Sequence, residues 1–456
     1  MGKVTTDLRD GDVVTALPSG DELRVTHRLG EGGAGVVYAV VTPRGEPRAV
    51  KLLRDSYLSV DPQVTDRFKR LIREEPPSPV FVWPRELVTR TDGETLSVGY
   101  VTALIEDAVP VSRLFRADGA NGSAGGPSLE VRAAAAIELA DAVRLLGLRA
   151  YVHKDLSGAN VVVNPASGSV RILDWETCDV EGSGVIVGTP GYQAVESVCS
   201  RVPQSHQSDL HSLAVLLFEI LLGAHPLRGE RFWSIPFPSD DDLDEMFVRD
   251  PVFIFDSEDR RNRALGAQDD PYNECGGLAS AWYPVLPEYL RRLFRRAFTV
   301  AMRDLVQRVR ATTWLSAVLR FRDSLAPCPR CGSLNSLDVL LDPESHVGCW
   351  NCQYAGEQVP RLVLASGVVA LRPGGVVTAH RMGTAAFDWK THVFEVTRHP
   401  ANGEPALKNV RPTPAVLTSP RGETRQLRQG QAMVLEGLRH GTRIQVDGHV
   451  AQFACL

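Results

Sequence analysis

His153-Lys154-Asp155-Leu156-Ser157-Gly158-Ala159-Asn160, running into Val161-Val162-Val163, decides how this chain is read. A polar loop that turns at Ser157-Gly158 and enters a β-branched run predicts a strand at Val161–Val163. Asp155 and Asn160 are five residues apart, so one loop can offer a carboxylate and an amide to the same ligand. A second short strand, Ile172-Leu173, ends on Asp174. Magnesium takes oxygen ligands, and Asn160, Asp174 and phosphate oxygens make a suitable set. Asp155 is then free to accept or orient the proton of an attacking hydroxyl. Two turn-forming Asp/Asn groups would be the structural alternative, and order and spacing together argue against it.

Upstream, Gly30-Glu31-Gly32-Gly33-Ala34-Gly35-Val36-Val37 is a glycine-rich turn between two strands. Glycines at 30, 32 and 35 let backbone close over a triphosphate without a Cβ in the way. A plain hairpin turn would look the same in isolation. Ala49-Val50-Lys51 follows at strand spacing. A lysine inside an apolar strand is costly unless its ammonium finds a partner, and a phosphate together with a carboxylate would provide one. Val37 and Ala49 are the apolar residues expected beside a bound nucleotide.

Downstream, Gly188-Thr189-Pro190-Gly191-Tyr192-Gln193-Ala194-Val195-Glu196 precedes an apolar helix, 210–222, that opens with Asp209. With these motifs the chain resembles the eukaryotic-like (Hanks-type) bacterial protein kinases over about residues 20–325. The resemblance implies a bilobal fold with ATP and Mg2+ as cofactors and Ser or Thr of a protein as substrate. It implies that Lys51 pairs with phosphate and Asp155 acts on the nucleophile. It further implies that Glu196 ion-pairs with Arg308, and that Asp209 braces the catalytic loop. These last features separate protein kinases from small-molecule phosphotransferases. Three positions depart from the pattern. Asp174-Trp175-Glu176 stands where Asp-Phe-Gly is usual, Ser157 replaces a frequent lysine, and Lys154 replaces an arginine. The helix before Pro76 has no clear glutamate for Lys51, and Asp66 is its best-spaced acid. These departures keep a second reading open, a non-catalytic scaffold built on the same fold.

Cys328-Pro-Arg-Cys331 and Cys349-Trp-Asn-Cys352, 17 residues apart, have zinc-ribbon spacing. Four thiolates make a closed, structural Zn2+ site, and so short a segment needs the metal to fold. Strand-length apolar runs between Gly and Pro fill residues 359–456 and predict a small all-β, sandwich-like domain. Ala406-Leu407-Lys408-Asn409 and Gly437–Gly448 give it a forkhead-associated resemblance. A kinase followed by such a ribbon and β-domain, with Val82-Trp83-Pro84 and Phe253-Ile254-Phe255-Asp256, resembles the kinases of the bacterial TerY-P triad. That resemblance implies a metal-dependent protein phosphatase and a von Willebrand factor A-domain protein as partners.

The expected organisation is multidomain α+β. The kinase domain takes residues 1–325 (lobes at about 20–105 and 106–325), the ribbon 326–358, and the β-domain 359–456. At 456 residues the chain is long enough for two to four domains. A charge of −5, from 50 Lys and Arg against 55 Asp and Glu, gives no reason to expect a nucleic-acid partner. The most apolar stretch, 210–224, is interrupted by Glu219 and too short to span a bilayer, so no membrane association is expected. Paired cysteines without a secretory signal favour a reducing, cytoplasmic setting. Residues 117–127 read as a flexible loop, and 229–285 has no legible periodicity.

Overall fold

The computed structural model describes residues 7–92, 95–115, 126–181, 188–199, 202–266, 278–341, 348–355, 359–399 and 403–455. The loop expected at 117–127 falls almost wholly outside them.

Six antiparallel strands form a closed barrel at the N-terminal end: β1 (Val13–Leu17), β2 (Glu22–Glu31), β3 (Gly35–Val41), β4 (Pro47–Leu53), β5 (Glu86–Asp92) and β6 (Thr95–Ala103). Alternation decides which side chains fill it. Val36, Tyr38, Val40, Val50 and Leu52 point inward to a small core with Val14, Leu23 and Val88. Their neighbours Val37, Ala49 and Lys51 therefore lie on the opposite face. Strand β1 closes the barrel by pairing with both β2 and β5. Between β4 and β5 run α1 (Asp55–Val60) and α2 (Val64–Arg73), and α2 buries Val64, Arg67, Phe68 and Leu71.

The second lobe is helical, built on α3 (Leu129–Leu148), α4 (His206–Leu222), α5 (Glu288–Phe298) and α6 (Ala311–Ser324). Ser205 caps α4 through a capping box, and Gly223 ends it in the left-handed conformation. Between these caps α4 is buried on every side, because it runs through the middle of the lobe. The described part of segment 229–285, unreadable by periodicity, holds short turns of helix and packs Phe253 and Ile254 into the same core. Two short strands, β7 (Val161–Val163) and β8 (Val170–Ile172), form a hairpin at the lobe boundary.

Helix α6 passes directly into strand Leu325–Pro327, which pairs with Leu334–Ser336. Beyond lie two sheets around one apolar core that includes Leu362, Val377, Phe394, Leu417, Ile444 and Phe453. One sheet has six strands and the other four. This unit docks on the helical lobe at α3 and α6. Trp389 Nε1 donates to Asp141 Oδ2 at 3.0 Å, and Arg381 pairs with Asp323 at 3.3 Å.

Candidate active site

The loop at 153–160 is held from below by α4. Asp209 accepts from the backbone N–H of His153 at 2.7 Å and of Lys154 at 3.1 Å. Those two bonds fix a strained turn, for Lys154 has φ +70°, a region that side chains disfavour. Gln204 Nε2 adds a bond to the Lys154 carbonyl at 2.6 Å. On the upper side Asp155 is held at both oxygens. Asn160 Nδ2 donates to Oδ2 at 2.9 Å, and the Thr189 hydroxyl donates to Oδ1 at 2.8 Å. Asn160 Nδ2 also reaches the Asp155 carbonyl at 2.9 Å, leaving its Oδ1 outside these bonds. The Thr177 hydroxyl donates to the His153 carbonyl at 2.8 Å, a further tie on this loop.

Asp174 follows β8 with φ +60°. Trp175 beside it is fully buried and packs on Trp83, Phe81 and His153, with ring centroids 4.6, 5.2 and 5.3 Å away. That aromatic stack fixes the segment and turns Asp174 toward Lys51. Lys51 Nζ lies 2.8 Å from Asp174 Oδ1 and 2.5 Å from Glu176 Oε1. The Tyr100 hydroxyl donates to the other Glu176 oxygen at 2.9 Å. Burial alone would lower the Lys51 pKa; Glu176 and Asp174 outweigh it and hold the ammonium firmly protonated. Burial and the neighbouring Glu176 push the Asp174 carboxyl up, while Lys51 keeps Glu176 below its ordinary range despite burial.

This corrects the expectation for Asp66. Its carboxylate is exposed and pairs with Lys69 at 2.9 Å, one face of α2 away from Lys51. The acid beside Lys51 is Glu176, which sequence reading registered only as a missing glycine. Arg67, Tyr100, Asp61 and Asp179, which surround it, were not singled out at all.

The glycine-rich turn divides by role. An added Cβ would meet nothing within 4 Å at Gly30, Gly32 or Gly33. At Gly35 it would lie 2.1 Å from the Leu52 carbonyl oxygen, so this glycine allows β3 and β4 to approach. The open glycines leave free space next to Val37, Ala49 and Lys51, and this fits a polyphosphate. Asn160 Oδ1 and the half-buried Asp174 carboxylate fit a magnesium ion.

Farther from the nucleophile position, Arg308 clasps Glu196 with bonds of 2.6 and 3.1 Å. The Tyr192 hydroxyl donates to Glu219 at 2.8 Å, and burial raises the Glu219 carboxyl to about 7. Ser157 is buried, and its hydroxyl has no hydrogen-bond partner among the described residues.

The four paired cysteines, Cys328, Cys331, Cys349 and Cys352, converge, with every sulfur ligand atom within 4.8 Å of the others. Cys328 and Cys352 sulfurs are 3.7 Å apart, and Cys331 and Cys349 3.6 Å. Around a tetrahedral zinc with bonds of ~2.3 Å, sulfurs stand ~3.8 Å apart, so the cluster has the size a zinc ion needs. Asn335 Nδ2 donates to Cys349 at 3.4 Å, supporting a thiolate from outside. Between the second pair, Trp350 packs on Trp282 of the helical lobe with centroids 4.9 Å apart.

Residues 23–236 match the family model described as the protein kinase domain. The serine/threonine-protein kinase PkaA of Streptomyces coelicolor is 30% identical over 237 residues, covering 46% of this chain and 41% of that protein. The serine/threonine-protein kinase PknA of Mycobacterium tuberculosis is 25% identical over 219 residues, 45% of this chain and 48% of that one. A solved structure titled ROP18 kinase domain in complex with AMP-PNP and sucrose aligns with a TM-score of 0.46 at 19% identity, over 70% of this chain and 84% of that one. The chain spans less than half the length of these two curated relatives. Over residues 23–236 the chain is similar to the protein kinase domain and to bacterial serine/threonine kinases.

Proposed function

We propose that the chain transfers the γ-phosphoryl group of ATP to a serine or threonine hydroxyl of a protein, with magnesium, in bacterial signalling. One observation carries the reading. A threonine hydroxyl, that of Thr189, already reaches Asp155 Oδ1 at 2.8 Å while Asn160 steadies the other oxygen. A substrate hydroxyl arriving there would be oriented the same way and would pass its proton to the carboxylate. Gly30, Gly32 and Gly33, with no Cβ in the way, leave room for the phosphates, and Gly35 keeps the two strands close. Lys51 directs its ammonium at the phosphates from beside Val37 and Ala49. Asn160 and Asp174 would hold magnesium, which with bound ATP supplies the transferable group and neutralises its charge. The test is transfer of labelled phosphate to a protein substrate by the wild-type chain and its loss in Lys51→Met.

A second reading, a scaffold without transfer, draws on Ser157, whose short side chain brings no cation to the phosphates. For the ribbon we propose one structural zinc on Cys328, Cys331, Cys349 and Cys352. For the C-terminal two-sheet unit we propose a forkhead-associated-like docking role. The TerY-P resemblance supports a metal-dependent protein phosphatase and a von Willebrand factor A-domain protein as partners. No helix among the described residues is long and apolar enough to cross a membrane. Cytoplasmic placement is proposed from the two tight cysteine pairs, whose spacing favours metal over disulfides.

A further inference from the structure

In protein kinases the ammonium that meets the phosphates is held by a glutamate on the helix of the first lobe. Here that helix is α2, and its sequence VTDRFKRLIR contains one acid, Asp66. Asp66 faces outward to Lys69. The next acid along, Glu74, accepts from the Tyr151 hydroxyl at 2.9 Å. The inner face of α2 presents a cation instead. Arg67 is buried, bonds Asp61 Oδ2 at 2.5 Å and lies 3.5 Å from Asp179 Oδ2. It also donates to the backbone carbonyl of Glu176.

Glu176 has every acceptor engaged. Its carboxylate oxygens are taken by Lys51 and Tyr100, and its carbonyl by Arg67 and by Tyr57 at 3.3 Å. Lys51 is 6% exposed and Glu176 3%. Desolvation of either charge alone would cost several kcal/mol, so each depends on the other. We propose that Glu176 is the positioning residue for Lys51 in this chain, and that α2 acts on the site through Arg67 and the Glu176 backbone rather than through a carboxylate of its own. The partner of Lys51 and the magnesium ligand Asp174 then sit two residues apart on one segment, anchored by Trp175. A movement of α2 would release both together, and an outward swing of a helix carboxylate is not available as a switch.

The consequence for phosphoryl transfer rests on the kinase reading; the pairing does not. Two measurements on the full chain keep them apart. In the first, kcat and the KM for ATP are measured for Glu176→Gln, which retains the side-chain shape and an acceptor for Tyr100. A fall of a hundredfold or more in kcat/KM for ATP is expected, with an unchanged KM for the protein substrate and wild-type behaviour in Asp66→Asn. Wild-type kcat and KM in Glu176→Gln, or an equal loss in Asp66→Asn, would overturn the proposal. In the second, melting of the chain without nucleotide is compared for Lys51→Met, Glu176→Gln and the double variant. The double variant should lose clearly less than the sum of the single losses, and additive losses would overturn the pairing. Absence of transfer by the wild-type chain would sink the kinase reading alone, and the cycle would still decide the pairing.

Discussion

Asp155, Lys51 and Asp174 each stand within hydrogen-bond distance of a partner that the chemistry would displace or share. Lys51→Met removes the ammonium, and Asp174→Ala the carboxylate that would hold magnesium. Each should lower phosphoryl transfer at least a thousandfold, about 4 kcal/mol in the barrier, with melting temperature and transfer measured on the same preparation. Undiminished transfer in a folded Asp174→Ala chain would contradict the metal role. Glu219 yields a prediction of another kind. Burial raises its carboxyl from 4.5 to about 7, so the folded chain keeps a proton that the unfolded chain releases. Stability from this group is therefore present below about 4.5 and lost as pH rises to about 7. The loss is on the order of 3 kcal/mol at about 1.4 per pKa unit. Glu219→Gln should flatten the fall in melting temperature between pH 5 and 8, and an unchanged slope would contradict the assignment. Sequence spacing singled out Asp155, Asn160 and Asp174 as candidates because they lie close together in the chain. It could not disclose the role of Glu176, whose partner Lys51 is 125 residues away. Its signal was indirect: an acid in a glycine's place, and a helix with no inward acid.

The glycine turn separates two demands on the same residue type. Gly35→Ala would drive a Cβ to within 2.1 Å of the Leu52 carbonyl, and β3 must part from β4 to admit it. Gly33→Ala meets nothing within 4 Å. Thermal melts should show a loss of about 2 kcal/mol or more for Gly35→Ala and almost none for Gly33→Ala; equal melts would refute the distinction. Helix α3 is legible end to end, because its cap Ser128 and its long apolar pattern agree. Strand β1 escaped reading because Val13–Leu17 is short and has meaning only as the closure between β2 and β5. Segment 229–285 escaped because it has no regular repeat, and its buried aromatics are placed by α4 rather than by a local period.

Three bodies meet in the whole chain: the barrel and helical lobes, the cysteine cluster, and the two-sheet unit on α3 and α6. Charged and aromatic contacts join them, among them Arg372 to Glu130 at 2.5 Å, Arg320 to Asp338 at 2.9 Å and Trp350 against Trp282. The cluster holds its sulfurs at zinc spacing without a large core of its own, so metal should govern its folding. Elemental analysis of protein purified without added metal should give one zinc per chain, and Cys349→Ser should abolish it. Full folding of the hairpin and cluster in metal-free protein would contradict this. The kinase reading itself meets its most direct test in labelled ATP. The purified full chain is incubated with magnesium and γ-labelled ATP, with Asp155→Ala alongside, and phosphate on serine or threonine is measured. Label on the wild-type chain or an added protein, at least a thousandfold weaker with Asp155→Ala, is the predicted result. Equal label with both chains, or none with a folded wild-type chain that binds nucleotide, would contradict it.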